Sequence, residues 1–236
     1  MPSRDFSTRA QLSEWMDGPC TEQQLWGCLH DLEQVNRLVF VYRPTLQWLK
    51  EIARRHRGPL HIVDVGCGGG DMLRIVERWA SRQSFPVQLT GVDMNERALR
   101  FAQEKTSQSS RIRYVQGHAA GHPEVKNVDL IISSHMTHHL SDEEILTFLE
   151  WMESTARTGW LVNDLHREPF GFYAFRFLAR SMRWHPFIRH DGPVSVLRSF
   201  RRNDWARYLT AASIEGANVR TFAPGRLCVE RTKLHA

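Results

Sequence analysis

Apolar residues recur along this chain with two different periods, and the change between them divides it. From about residue 60, short β-branched runs alternate with segments whose apolar residues fall three and four apart. "LHIVDV" (60–65), "VQLTGVD" (87–93), "IRYVQG" (112–117), "VDLIISS" (128–134) and "GWLVND" (159–164) read as strands. Between them, "DMLRIVERWASR" aligns Met72, Ile75, Val76 and Trp79 on one helical stripe. "SDEEILTFLEWMEST" opens with Ser141 and places Glu144 three residues on, a capping box. The apolar face of Ile145, Phe148, Leu149 and Met152 follows it. Strands and helices in this alternation predict a parallel sheet covered on both faces. Further on, "RRNDWARYLTAAS" predicts a helix and "NVRTFAP-GRLCVERT" two strands across a Pro-Gly turn.

Two regions stand outside the alternation. Residues 1–58 carry helical patterns, "TEQQLWGCLHDLEQVNRLVFVY" and then "PTLQWLKEIARRH", which Pro44 opens well. Residues 166–198 are dense in aromatics and arginines. The predicted organisation is a helical lid at 1–58 and an α/β domain at 59–236, with a helical substrate cap inserted at about 166–198.

Composition narrows the class. At 236 residues the chain is long enough for one large domain, and its 42% apolar and 24% charged content is that of a soluble protein. The formal charge of +5 is modest and no basic block concentrates it, so nucleic acid is not an expected partner. No apolar run is long enough to span a bilayer, and the N-terminal "MPSRDFSTRAQLSEW" lacks the apolar core of a secretory signal. Cys20, Cys28, Cys67 and Cys228 have neither CxxC nor zinc spacing, which reads as free thiols in a reducing cytoplasm. Asp142, Glu143 and Glu144 read as the negative first turn of a helix, and no metal is expected.

The chemistry concentrates at "VDVGCGGGDML" (63–73). Four of the five residues after Val65 are glycines, followed by Asp71. Glycines at the carboxyl end of a parallel strand let backbone approach a ligand, and the next helix points its N–H groups at it. A dinucleotide fingerprint G-x-G-x-x-G fails in both registers, because its third glycine falls on Asp71 or on Leu73. No Walker lysine is present, and an acid at the loop's mouth would repel a pyrophosphate. The second strand ends "GVDMN", and an acid there accepts from a ribose diol. The residues therefore ask for a nucleoside without phosphates and with a cationic or amine-bearing tail. S-adenosylmethionine answers that description.

On "VDVGCGGGD", "GVDMN", "YVQGHAA", "VDLIISSHMTHHL" and "GWLVNDLHR", in that order, the chain resembles the class I S-adenosylmethionine-dependent methyltransferases. The resemblance covers about 60–235 and implies a Rossmann-like, seven-stranded, mostly parallel sheet whose last strand is antiparallel. It implies that Asp64, Gly66, Gly68 and Asp71 surround the methionine part of S-adenosylmethionine. Asp93 then holds the ribose, Met94 packs on adenine, and His118 and Ala119 flank the adenine edge. Many relatives carry Asp where this chain has His118. Ser134 lies near the amino group through its backbone, and His135 packs against the cofactor. A looser similarity points to bacterial small-molecule enzymes of quinone and polyketide type.

Methyl transfer from a sulfonium chiefly needs positioning and desolvation, and a hydroxyl acceptor also gains from a base. "SSHMTHHL" puts His138 and His139 after the fourth strand, and "NDLHR" puts Asp164 and His166 after the fifth. His138 or His166 is the expected base, with Asp164 orienting it. Arg43 is the preferred partner of the cofactor carboxylate. The aromatic insert predicts a small hydrophobic acceptor, aromatic or quinone-like, methylated on oxygen, with carbon as the alternative. The insert's Arg176, Arg180 and Arg183 are expected to face water, with an acidic substrate group or peripheral membrane contact as the alternatives, and a monomer or homodimer completes the expectation.

Overall fold

The computed structural model describes residues 5–233; the ends of the predicted spans, 1–4 and 234–236, lie outside the described residues. Seven strands form one sheet in the order β3-β2-β1-β4-β5-β7-β6. In chain order they are β1 (Leu60–Val65), β2 (Val87–Asp93), β3 (Arg113–Gln116), β4 (Leu130–Ser134), β5 (Gly159–Leu165), β6 (Asn218–Phe222) and β7 (Arg226–Thr232). β1 to β5 run parallel, and β7 is antiparallel to both β5 and β6. The last strand in sequence is thus the reversed one. Crossing outward from β1 in both directions makes the β1–β4 boundary a switch point, beyond whose carboxyl ends a ligand crevice opens.

The helices are α1 (Glu22–Leu38), α2 (Tyr42–Arg55), α3 (Asp71–Arg82), α4 (Glu96–Lys105), α5 (Asp142–Thr155), α6 (Pro169–Ser181), α7 (Pro186–Arg198) and α8 (Arg202–Ala211). Met72, Val76 and Trp79 of α3 bury against one face of the sheet together with Trp48, Leu49 and Ile52 of α2. Ile145, Leu149 and Met152 of α5 cover the other face with Trp205 and Tyr208 of α8. The Ser141 capping box forms as the sequence predicts, with Glu144 N–H donating to Ser141 Oγ at 3.2 Å. Among the described residues no helix is long and apolar enough to cross a membrane.

The expected lid divides in two. α2 belongs to the sheet's covering layer because its apolar stripe meets β1. Only α1 and the segment before it pass over the crevice, where Leu25 and Leu29 pack on Ala98 and Phe101 of α4. α6 and α7 form a hairpin, and a side chain at Gly192 would run into the ring of Phe175, so the two helices approach closely there. The N-terminal segment straps this hairpin. Ala10 N–H donates to the Leu197 carbonyl at 3.0 Å, and the Trp15 and Met16 N–H groups donate to the Asp191 carboxylate at 2.8 and 3.0 Å.

Candidate active site

A single cavity of about 540 Å³ runs from the glycine corner to the α6–α7 hairpin. At one end the chain turns sharply after β1, with Gly66, Gly68 and Gly70 at φ +70°, +49° and +71°. A Cβ on Gly66 would lie 2.5 Å from Met136 Cγ, so this position needs both the freedom and the size of glycine. Asp93 fixes the loop. Gly68 N–H donates to its Oδ2 and Asn95 N–H to its Oδ1, each at 2.8 Å. Asp71 opens α3 and accepts from Tyr42 Oη at 2.6 Å and Asn36 Nδ2 at 2.8 Å.

Asp64, Asp71 and Asp93 all line this end, and none has a basic side chain within ion-pair distance among the described residues. Burial pushes the Asp64 carboxyl well up, and the neighbouring Asp71 and Asp93 push it further. Burial also raises Asp93, against the N–H donors of Asn95, Gly68 and Met94. Three buried polar atoms of the lining have no hydrogen-bond partner in the protein: Asn36 Oδ1, Asp64 Oδ1 and Ser134 Oγ. Orphaned acceptors beside unpaired carboxylates fit a ligand that brings donors and positive charge.

Gly66, Gly68 and Ser134 stand where the sequence predicts them, with the three acids. Other expected residues are not brought in. Arg43 is exposed and absent from the lining: its neighbour Tyr42 takes the inward position on α2, and one helical step turns the arginine outward. Met94 is exposed at the sheet's edge beyond Asp93, and His118 is exposed on the loop after β3. Ala119 is buried in the core with Val92 rather than facing the cavity.

Beyond Ser134, His135, His138, His139 and His166 line the middle of the cavity. His138 is buried, and its Nδ1 lies 2.7 Å from Asp164 Oδ1. Asp164 does not cap α6, whose N-cap residue is Glu168. It accepts instead from Thr137 Oγ1 at 2.5 Å and from the His138 N–H at 3.0 Å. The other ring nitrogen of His138 faces Glu14 Oε1 at 3.5 Å. Burial works against charge on His138, but Asp164 and Glu14 prevail and raise it to about 9. His135 is driven the other way, by burial and by the Arg226 guanidinium that contacts its Nε2. His166 is half-buried and lowered, by burial first and then by Arg201, Arg202 and Arg167 against Glu168. Its Nδ1 lies 3.5 Å from Glu168, and no hydrogen bond engages its Nε2 among the described residues.

Two residues carry weight that the sequence does not signal. Glu14, in the strap, is buried at 4% exposure and accepts from Ser195 Oγ at 2.9 Å. Nothing in "SEWMD" marks it, because its partners are more than a hundred residues away. Arg226, the first residue of β7, is buried against Asn163, donating from Nε at 2.9 Å and from Nη2 at 2.6 Å.

The aromatics of the hairpin also divide. Phe175 lines the cavity, Phe172 packs on Phe6 of the strap and Trp184 with Cys28 and Val35 of α1, and Phe170, at the cavity's rim, is exposed with Tyr173, Phe177 and Met182. Arg176 and Arg180 border a second cleft outside the hairpin, with Trp15 and Arg189.

A sheet in this order with β7 reversed, a glycine turn after β1 and an acid ending β2 defines a class of methyl-transferring enzymes. A family model described as a methyltransferase domain matches residues 62–159. The chain has the fold of the class I S-adenosylmethionine-dependent methyltransferases. It is similar to the plantazolicin methyltransferase BpumL, solved with S-adenosylhomocysteine, at TM-score 0.65 and 15% identity over 89% of both chains. It is also similar to magnesium protoporphyrin IX methyltransferase of Synechocystis, solved with the same ligand, at TM-score 0.54 and 15% identity over 92% of this chain and 90% of that one. A third likeness is to the CMeT domain of citrinin polyketide synthase, at TM-score 0.59 and 12% identity, covering 80% of this chain and 51% of that one. No curated protein matches the sequence.

Proposed function

We propose that the protein transfers the methyl group of S-adenosylmethionine to a hydroxyl of a small hydrophobic, aromatic or quinone-like acceptor of secondary metabolism. The observation that carries this reading is the trio Asp64, Asp71 and Asp93, unpaired by any basic side chain, beside the orphaned Asp64 Oδ1 and Ser134 Oγ. Such a lining suits a ligand with an ammonium, a sulfonium and a ribose diol. Asp64, Asp71 and the Gly66–Gly68 turn would hold the amino-acid end, and Asp93 the ribose. When bound, the cofactor supplies an activated methyl group.

The chain's own residues do the rest. Phe175, Leu178 and Ile188 form the apolar end of the same cavity and exclude water from the acceptor. His166 takes the hydroxyl proton: it lines the cavity, is held neutral, and is backed by Glu168. His138, held between two carboxylates, is not free for that task. Methylation on carbon is the second reading, favoured by the likeness to a CMeT domain. An enol or electron-rich ring would use the same base.

Calorimetric titration with S-adenosylmethionine, S-adenosylhomocysteine and NADH tests the cofactor. Micromolar binding of the first two alone is expected. Asp93→Ala should lose at least ~10-fold in affinity, because a ribose hydroxyl is left unpaired. NADH binding alone, or undiminished affinity in the variant, overturns the assignment.

A further inference from the structure

Glu14, His138 and His139 present donor atoms that all lie within 4.8 Å of one another. Glu14 Oε1 stands 3.5 Å from His138 Nε2, and Glu14 Oε2 stands 3.8 Å from His139 Nε2. A tetrahedral zinc site with metal–ligand bonds of about 2.0–2.1 Å places its ligands roughly 3.3 Å apart, so small side-chain movements close this set. The rings are also oriented for it. His138 Nδ1 is held by Asp164 at 2.7 Å and His139 Nδ1 by Asp17 at 3.1 Å, leaving both Nε2 atoms facing Glu14. A carboxylate on the far nitrogen of each histidine is the arrangement that fixes metal-binding imidazoles.

We infer that Glu14, His138 and His139 form a zinc site in the wall of the methyl-transfer cavity, with a fourth position open to an oxygen of the acceptor. Two histidines and a glutamate are a donor set of catalytic zinc sites, which keep one position free. All three residues line the same cavity as Ser134 and His166. Ser195 Oγ and Arg198 Nη1 both address Glu14 Oε1, at 2.9 and 3.6 Å. Among the described residues Oε2 has His139 alone. The metal would polarise an acceptor hydroxyl as a Lewis acid and draw chelating acceptors, such as adjacent hydroxyl and carbonyl oxygens, into register. That work rests on the methyltransferase reading; the binding of the metal does not. The sequence shows no zinc spacing because the ligands come from the strap and from the turn after β4.

The test is titration of the full chain with Co²⁺ followed by visible absorption, then displacement by Zn²⁺. One equivalent is expected, with the d–d bands of a four- or five-coordinate ion that Zn²⁺ abolishes. Glu14→Gln and His139→Gln should each weaken Co²⁺ binding by at least ~100-fold, and Asp17→Asn by about 10-fold to 100-fold. S-adenosylhomocysteine titration of the same variants reports whether each is folded. Absence of the bands in the wild type, or equal Co²⁺ affinity in the two folded ligand variants, overturns the site. Failure of wild-type S-adenosylhomocysteine binding would instead overturn the cofactor reading and leave the metal result standing.

Discussion

At the scale of the residue, what touches the histidines of one cavity wall sets their proton affinity, raising His138 and lowering His135 and His166. His166 is the one matched to proton abstraction, since burial and the neighbouring arginines lower it while Glu168 steadies its Nδ1. His166→Ala should lose about 10²–10⁴ in kcat on a phenolic acceptor while keeping S-adenosylhomocysteine affinity. The sign of the pH effect follows from the direction of the shift. A base acts when deprotonated, and His166 sits below its ordinary 6.5, so kcat/KM should stay level down to that pH and fall only below it. A steady-state pH profile with a phenolic acceptor checks this; an acid limb centred well above 6.5 would reject His166 as the base. The residues legible in the sequence were those whose role is local: glycines in a turn, an acid opening a helix, an acid ending a strand. Arg43 lies outside the cavity lining because neighbours on a helix face different ways. Glu14 was invisible because its role exists only where the strap meets the turn after β4.

At the scale of the element, the central strands β1, β4 and β5 stood out because buried parallel strands are nearly continuous in apolar residues, whereas β3 is a short, largely unburied edge strand. Several helices were as plain, though α4 was not singled out, and what each helix covers was not readable. An apolar stripe such as Trp48, Leu49 and Ile52 states that α2 buries a face and not that the face meets β1. The aromatic-rich insert was the least readable. Its density does not separate Phe175, which faces the cavity, from Phe177, which faces solvent. The glycine turn allows a sharper test of element-level design. Gly66→Ala imposes the left-handed penalty of about 1–2 kcal/mol on a non-glycine residue. It adds an overlap with Met136, whose Cγ lies 2.5 Å from the new Cβ. Urea unfolding should show Met136→Ala recovering part of the loss when combined with Gly66→Ala, leaving the φ penalty at +70°. Strict additivity of the two substitutions would mean that the turn relaxes away from Met136.

At the scale of the whole molecule, the sheet separates function from anchoring along its strands. The carboxyl ends of β1, β2, β4 and β5 carry the cavity, and the opposite ends carry a polar network centred on buried His61, Thr90 and Asp129. There His61 N–H donates to Asp129 Oδ2 at 2.8 Å, the exposed Arg157 pairs with Asp129 at 2.8 Å, and the His61 ring bridges Thr90 Oγ1 at 3.0 Å and the Lys126 carbonyl at 3.2 Å. Burial lowers His61 from its ordinary 6.5, against the Lys126 carbonyl and Asp129. The unfolded chain therefore binds a proton more readily than the folded one. His61 contributes stability that is fully present above 6.5 and lost as pH falls through the lowered folded value. Urea unfolding between pH 5 and pH 7.5, on the order of the range where histidine titrates, should show stability rising with pH. The rise should be shallower in His61→Gln, which keeps a hydrogen-bonding side chain but removes the proton-binding ring. Because the network lies at the end of the sheet away from Asp64 and Asp93, S-adenosylhomocysteine affinity at neutral pH should be unchanged in that variant. A loss of affinity there would show that the two ends of the sheet are coupled.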